Sequence, residues 1–243
     1  MKSMFKSGIH TAEIRQPYHR DMQPGAEGLT RVVSRSAAFL IALGVCASLT
    51  GCGFLKPAPD TARHYVLTPL PAGGQAKEAP GGLVIGLGQV KLPAYLLDTS
   101  LAVRKGTNEI DYLPGTLWAE RLDTGIHSVL AANLRSLLPT DQIRLSAWRS
   151  EDIGAEVYVA IEQFDVDSDG QAVLVASWRI LSPGGEKTLK AGESRLTSNG
   201  PSPTANPSGV VATLSGLVAD LSRQLAKALK ETPLTSPNTP PQP

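Results

Sequence analysis

The placement of two helical repeats constrains this chain more than any other feature. Leu122, Ile126, Val129, Leu130, Leu134 and Leu137 recur at steps of three and four until Pro139 stops the pattern, which predicts an amphipathic helix. Pro114-Gly115-Thr116 ahead of it reads as a turn and an N-cap, so Trp118 is expected to open the helix. Glu120 then falls in the first turn, where the helix dipole favours an anion. A second stripe, Val210, Leu214, Leu217, Val218, Leu221, Leu225 and Leu229, starts from Ser208 and ends among Lys227 and Lys230, cations suited to a helix C-terminus. The interval between them has the period of strands: Ile143 to Ser146, Glu156 to Phe164, Val173 to Leu181 and Glu186 to Thr197. Upstream, Tyr65 and Leu67 alternate with polar neighbours, and Leu83 to Val90 reads as a buried strand whose Gly86 and Gly88 allow close backbone approach. Leu101 to Arg104 turns at Lys105 to Asn108 and returns through Ile110 and Tyr112 as a hairpin. Helical stripes separated by strands need a sheet to cover. The expected class is therefore α+β, a mostly antiparallel sheet with two amphipathic helices packed on one face.

The longest uncharged apolar run, Ser36 to Leu49, follows Arg31 and Arg35. It is shorter than the roughly 20 residues that span a bilayer and has the shape of a signal-peptide core; a buried core helix is the alternative. Leu49, Thr50, Gly51 and Cys52 behind it resemble the lipobox cleaved by the lipoprotein signal peptidase. On that reading residues 1–51 are a removed leader, Cys52 is the acylated first residue, and the other cysteine, Cys46, leaves with the leader. Several acyl chains on one residue hold a membrane firmly where one binds reversibly. Gly53, not Asp, follows Cys52, which favours sorting to the outer membrane with the body in the periplasm. A polar stretch precedes the charged leader region, so translation is expected to start later, at Met22 or near Val32 or Val33. Residues 52–62 read as a tether, 63–230 as one domain, and 231–243, with five prolines, as a disordered tail.

Charge and motif exclude several functions. The formal net charge is +1, and the leader holds six of the 23 Lys and Arg but only three of the 22 acids, so the remainder is slightly acidic. That balance does not build a nucleic-acid surface. Asp165-Val166-Asp167-Ser168-Asp169-Gly170 matches the opening of a calcium loop, but the twelfth position is Ala176 and the flanks are strands, so a polar hairpin turn is the better reading. His64 and His127 are the histidines after Cys52, and neither accompanies a nucleophile or metal motif. No catalytic, metal or cofactor site is expected. Tyr95 and Trp118 stand at element ends, where an aromatic either covers the edge of the core or anchors an interface. Trp178, in an apolar strand, reads as core.

The order of motifs resembles the PqiC-type ABC-transport auxiliary lipoproteins. It runs from the lipobox and tether through Tyr65-Val66-Leu67, VKLPAYLLD (Val90 to Asp98) and LWAERL (Leu117 to Leu122) to the closing Leu/Ala-rich helix, covering Arg63 to Lys230. The resemblance implies a fold related to the N-terminal domain of TolB. It also implies an outer-membrane lipoprotein that docks, without catalysis, onto a periplasmic MCE-domain (PqiB-like) protein served by an inner-membrane permease component, in a system moving phospholipid between the membranes. A ring-forming partner would be matched by a homo-oligomer. Pro93, Tyr95, Leu96 and Asp98 match one family motif, and Trp118, Ala119, Glu120 and Leu122 the other, so these carry the expected interface. Arg121 and Leu97 depart from the family pattern. The competing reading is a TolB-like envelope scaffold without a lipid pathway.

Overall fold

The computed structural model describes residues 61–71, 83–140 and 142–234. The leader, the lipobox residues Leu49, Thr50, Gly51 and Cys52, the spacer at 72–82 and the end of the tail lie outside the described residues. In chain order the strands are β1 (Arg63–Tyr65), β2 (Ile85–Leu87), β3 (Ser100–Gly106), β4 (Glu109–Trp118), β5 (Ile143–Arg144), β6 (Ala155–Asp167), β7 (Gln171–Leu181) and β8 (Thr188–Asn199). The α-helices are α1 (Leu122–Leu137) and α2 (Pro207–Glu231).

The 13-residue β6 is the strand on which the rest assemble. One of its edges carries the antiparallel meander through β7 to β8. The other is shared: β2 pairs with Ala155–Val157, Lys91 bridges to Ala160, and β3 pairs with Val166 and Asp167. The hairpin partner β4 then adds to β3, β1 to β4, and β5 to β2. The long ladders are antiparallel, as expected; the short additions β1, β2 and β5, and the β3–β6 junction, are parallel.

A bulge at Glu162 decides which side chains of β6 reach the core. Ile161 pairs with Ala176 and Gln163 with Val175, so Glu162 has no partner and the alternation resets. Ala155, Val157, Val159 and Ile161 before the bulge, and Phe164 and Val166 after it, are therefore all buried on the helix side. Both helices pack on that face, with α2 across β6, β7 and β8 and α1 against α2 and β5, and their stripes close one continuous apolar core. Burial of such stripes, at about 25 cal/mol per Å2 of apolar surface, is the main force holding this arrangement.

Two further devices fix the layers. Asn133 of α1, wholly buried, accepts from the backbone N–H of Leu70 at 2.7 Å and donates to Ser222 Oγ of α2 at 3.0 Å. It thereby pins the segment after β1 to both helices. Sheet glycines make room for aromatic rings rather than for backbone. A Cβ on Gly86 would meet the Trp148 ring at 2.7 Å, one on Gly88 the Tyr158 ring at 2.5 Å, and one on Gly192 the Trp178 ring at 2.4 Å. Trp178 is core, as its strand position predicts, and donates from Nε1 to Ser194 Oγ at 3.1 Å.

The second helix begins at Pro207, with Asn206 as its N-cap accepting from the N–H of Gly209 at 2.9 Å. The first starts later than the sequence suggests. Thr116, Leu117 and Trp118 do not open α1; they finish β4, paired with Arg63, His64 and Tyr65. Glu120 consequently lies ahead of the helix, which begins at Leu122 after Arg121, with Asp123 as the acid of its first turn. Arg121 and Asp123 form a bidentate pair there, at 3.1 and 2.7 Å. Among the described residues no helix is long and apolar enough to cross a membrane.

Candidate functional site

The two motif segments, separated in sequence by the β3–β4 hairpin, meet at one end of the sheet. Trp118 donates its backbone N–H to Thr99 O at 2.7 Å, Leu117 pairs with Ser100, and Ala119 donates to Tyr65 O at 2.9 Å. The end of β4 is thus held between the start of β3 and the end of β1. Trp118 is 8% exposed and lines a narrow crevice with Tyr65, Leu101 and Val211. Its indole covers the core edge. Glu120 is exposed and its side chain lies over Gly125 in the first part of α1.

The segment after Pro93 forms a 3-10 turn, Ala94–Leu97, closed by Leu96 N–H donating to Pro93 O at 3.0 Å. Leu96 points into the core, while Asp98, exposed, accepts from the Ser100 N–H at 2.7 Å and starts β3. Tyr95 is a tie. Its hydroxyl donates to Asp165 Oδ2 at 2.9 Å, and its carbonyl accepts from the Tyr112 hydroxyl at 3.0 Å. Asp165 is 2% exposed and satisfied by four donors: Tyr95, both Arg104 Nε (3.2 Å) and Nη2 (2.7 Å), and Gln163 Nε2 (2.9 Å). Burial first, and then the Asp165 carboxylate, push the Tyr95 hydroxyl up to about 12. The phenol stays a neutral donor to Asp165, which Arg104 also holds, at 2.7 Å.

What this framework leaves in solvent was not singled out as a site in the sequence. Val66 (54%) and Leu97 (49%) are the large hydrophobic residues exposed among the described residues. Val66 follows β1 and Leu97 precedes β3, so both flank the Trp118 end of β4, on either side of it. Neither is marked by periodicity, because one follows a three-residue strand and the other sits in a single turn; Leu97 stood out only as a departure from the family pattern.

The other candidates have local explanations. In Asp165 to Gly170, Asp167 Oδ1 accepts from the N–H groups of Asp169 (3.0 Å) and Gln171 (2.8 Å), and Gly170 takes φ of 97°. This is the β6–β7 hairpin turn. His127 Nε2 lies 2.9 Å from Leu87 O, joining α1 to β2, and His64 is exposed on β1. The described residues include no group of three or more His, Cys, Asp or Glu arranged to hold a metal ion.

Comparison with known proteins agrees with this architecture. The model of the family described as the ABC-type transport auxiliary lipoprotein component matches residues 65–226, well over half of the chain. The intermembrane transport lipoprotein PqiC of Escherichia coli (strain K12) is 25% identical over 128 residues, covering 50% of this chain, as is PqiC of Shigella flexneri. The match spans 64% of those relatives, less than two thirds of their length. Among solved structures, an uncharacterized protein superposes with a TM-score of 0.58 at 20% identity, covering 69% of this chain and 98% of its own. A protein from Xanthomonas campestris gives a TM-score of 0.55 at 13% identity, covering 69% and 94%. These likenesses establish the fold, and the family match establishes the kinship: this chain is a member of the ABC-type transport auxiliary lipoprotein family.

Proposed function

We propose that the protein is an outer-membrane-anchored periplasmic lipoprotein of an MCE-type intermembrane phospholipid transport system, acting by docking to its MCE-domain (PqiB-like) partner rather than by catalysis. The observation that carries this reading is the end of the sheet at Trp118. There two exposed aliphatic side chains, Val66 and Leu97, stand on a backbone fixed by buried neighbours. An apolar side chain on a rigid support loses little entropy when a partner covers it, which is the property of an interface anchor. In this reading Pro93, Tyr95, Leu96, Asp98 and Trp118 shape and hold the surface, Glu120 rims it, and Val66 and Leu97 make the contact. The lipobox at Cys52 supplies the anchor and Gly53 supports the outer membrane. The ten residues after Cys52, read from the sequence as a tether, join that anchor to the folded body. The name borne by the PqiC relatives, intermembrane transport lipoprotein, supports the pathway.

The test is affinity purification from cross-linked envelopes of the native host, comparing the full-length chain with Val66→Asp/Leu97→Asp. These positions are solvent-exposed, so the variant is expected to fold. Recovery of an MCE protein with the parent and its loss with the variant is the expected result. Equal recovery with both refutes the docking surface. Recovery of peptidoglycan-linked or Tol-type proteins alone replaces the transport reading with the envelope scaffold. Cys52→Ala should leave a folded protein that is mislocalised and fails to complement a deletion.

A further inference from the structure

The face of the sheet turned away from the helices carries a bowl. Val157 and Val159 of β6 are buried on the helix side, so Tyr158 and Ala160 lie on the opposite face. The ladders extend that face in rows. In one, Lys91 bridges to Ala160, Ala160 pairs with Ser177 and Ser177 with Glu193; in the next, Tyr158 pairs with Arg179. Ala160 and Ser177 are short, whereas Lys91, Tyr158, Arg179 and Glu193 around them are long, and the result is an open cavity of about 570 Å3. That size falls within the ~300–1,000 Å3 of small-molecule sites. Tyr158 is a fixed wall. Its ring lies over Gly88, and its hydroxyl donates at 2.9 Å to Oε2 of the buried Glu156, whose Oε1 accepts from the Gly184 N–H at 3.0 Å.

The bowl holds polar groups that the fold does not use. Lys91 and Arg179 are exposed and, among the described residues, neither has an ion-pair partner, nor does the Ser177 hydroxyl have a hydrogen-bond partner. We propose that this bowl binds an organic phosphate carrying a single phosphate group. Lys91 and Arg179 stand two strands and one two-residue step apart, roughly 12 Å at their Cα atoms for strands ~4.8 Å apart rising ~3.4 Å per residue. Both side chains are long enough to bring their charges over Ala160 and Ser177. Donors then come from two walls and the floor, directions that the oxygens of a tetrahedral anion meet together, whereas the two oxygens of a carboxylate lie in one plane. A bare anion would leave most of the cavity empty, and the Tyr158 ring and Ala160 methyl offer surface to an organic group. Glu193 sets the opposite limit: its carboxylate repels a second anionic group and favours a neutral or cationic one. The bowl shares no residue with the surface at Val66 and Leu97 and does not rest on the docking reading. A soluble phosphoester and a phospholipid headgroup both present this chemistry.

The test is calorimetric titration of the full-length chain, in non-ionic detergent micelles, with inorganic phosphate, glycerol 3-phosphate and glycerophosphoethanolamine, the last a phospholipid headgroup without its acyl chains. Saturable binding of an organic phosphate, tighter than that of inorganic phosphate, is the expected result. Preference for the diester assigns the site to a headgroup, and preference for the monoester to a soluble ligand. Lys91→Gln and Arg179→Gln should each weaken binding by about tenfold or more, the worth of one charge-assisted hydrogen bond. Lys105→Gln, which removes an exposed cation near the β3–β4 turn, should leave it unchanged. A further readout does not depend on charge: Ser177→Tyr fills the floor and should abolish binding in a chain whose thermal melt stays close to the parent's; if that variant unfolds, the two glutamine variants decide. No saturable binding of any probe, inorganic phosphate bound as tightly as the organic ones, unchanged affinity in Lys91→Gln and Arg179→Gln, equal weakening by Lys105→Gln, or full binding by folded Ser177→Tyr would each overturn the assignment.

Discussion

Removing Arg104 should expose how far the turn carrying Leu97 depends on one buried carboxylate. The Asp165 side chain is 2% exposed and that of Arg104 27%, so the pair is half sheltered rather than sealed. Arg104→Met keeps most of the side-chain volume but removes two of the four donors to Asp165 and, among the described residues, its one cationic partner. Breaking a fully buried pair from one side costs about 3–5 kcal/mol, because the remaining charge is left uncompensated. The exposure of Arg104 lets water take part of its place, and two neutral donors remain, which brings the expected loss to about 2–3 kcal/mol. For a domain of this size that is a fall in Tm of roughly 5–10 °C. Urea unfolding of the detergent-solubilised full chain, followed by the fluorescence of Trp118, Trp148 and Trp178, would measure it. Arg104→Met/Asp165→Leu should recover at least half of the loss, since an apolar pair no longer strands a charge. A single variant within about 0.5 kcal/mol of the parent would refute the reasoning and mean that water or Tyr95 and Gln163 suffice.

Three other outcomes follow from the same contacts. Gly88→Ala places a methyl 2.5 Å from the Tyr158 ring and should cost about 1–3 kcal/mol, whereas Gly106→Ala, whose Cβ meets nothing within 4 Å, should be near neutral; chemical denaturation separates them. Tyr95 titrates near pH 12 folded and near 10 unfolded, so above pH 10 the unfolded chain binds fewer protons and stability falls until about pH 12. Tyr95→Phe should lack that component of the alkaline slope, which parallel urea titrations at pH 9, 10 and 11 would show by comparison with the parent. Asn206→Ala removes the cap of α2 and should lower stability by about 1 kcal/mol, while Asn206→Asp should retain most of it; thermal melts would check both.

The elements that could be read ahead are those whose pattern is local. Both apolar stripes, the β3–β4 hairpin and the turn at Asp167 to Gly170 are set by residues close in sequence, and each stands where its periodicity or turn chemistry put it. The start of α1 is different. Thr116 followed by Trp118 and Glu120 has the composition of a helix N-terminus, but β1, some fifty residues upstream, offers Arg63–Tyr65 as a parallel partner and holds Thr116–Trp118 in strand. The roles of Tyr95 and Asp165 are likewise non-local, since their meeting depends on β6 lying beside β3. The Glu162 bulge breaks the alternation that otherwise identifies the buried face, so Asp165 is hidden in what reads as the approach to a polar turn.

The sharing of one edge of β6 sets an order of assembly. β7 and β8 follow β6 in sequence and close on it through short turns, so this meander can form from contiguous chain. β2 cannot: its partners, β5 and β6, lie downstream, and the stripe of α1 waits for α2. In a chain delivered N-terminus first, Ile85, Leu87 and the apolar positions of α1 therefore emerge well before anything exists to bury them. Such a chain passes through an interval in which its earliest apolar surface is unprotected, and that interval closes only when residues 155–231 arrive.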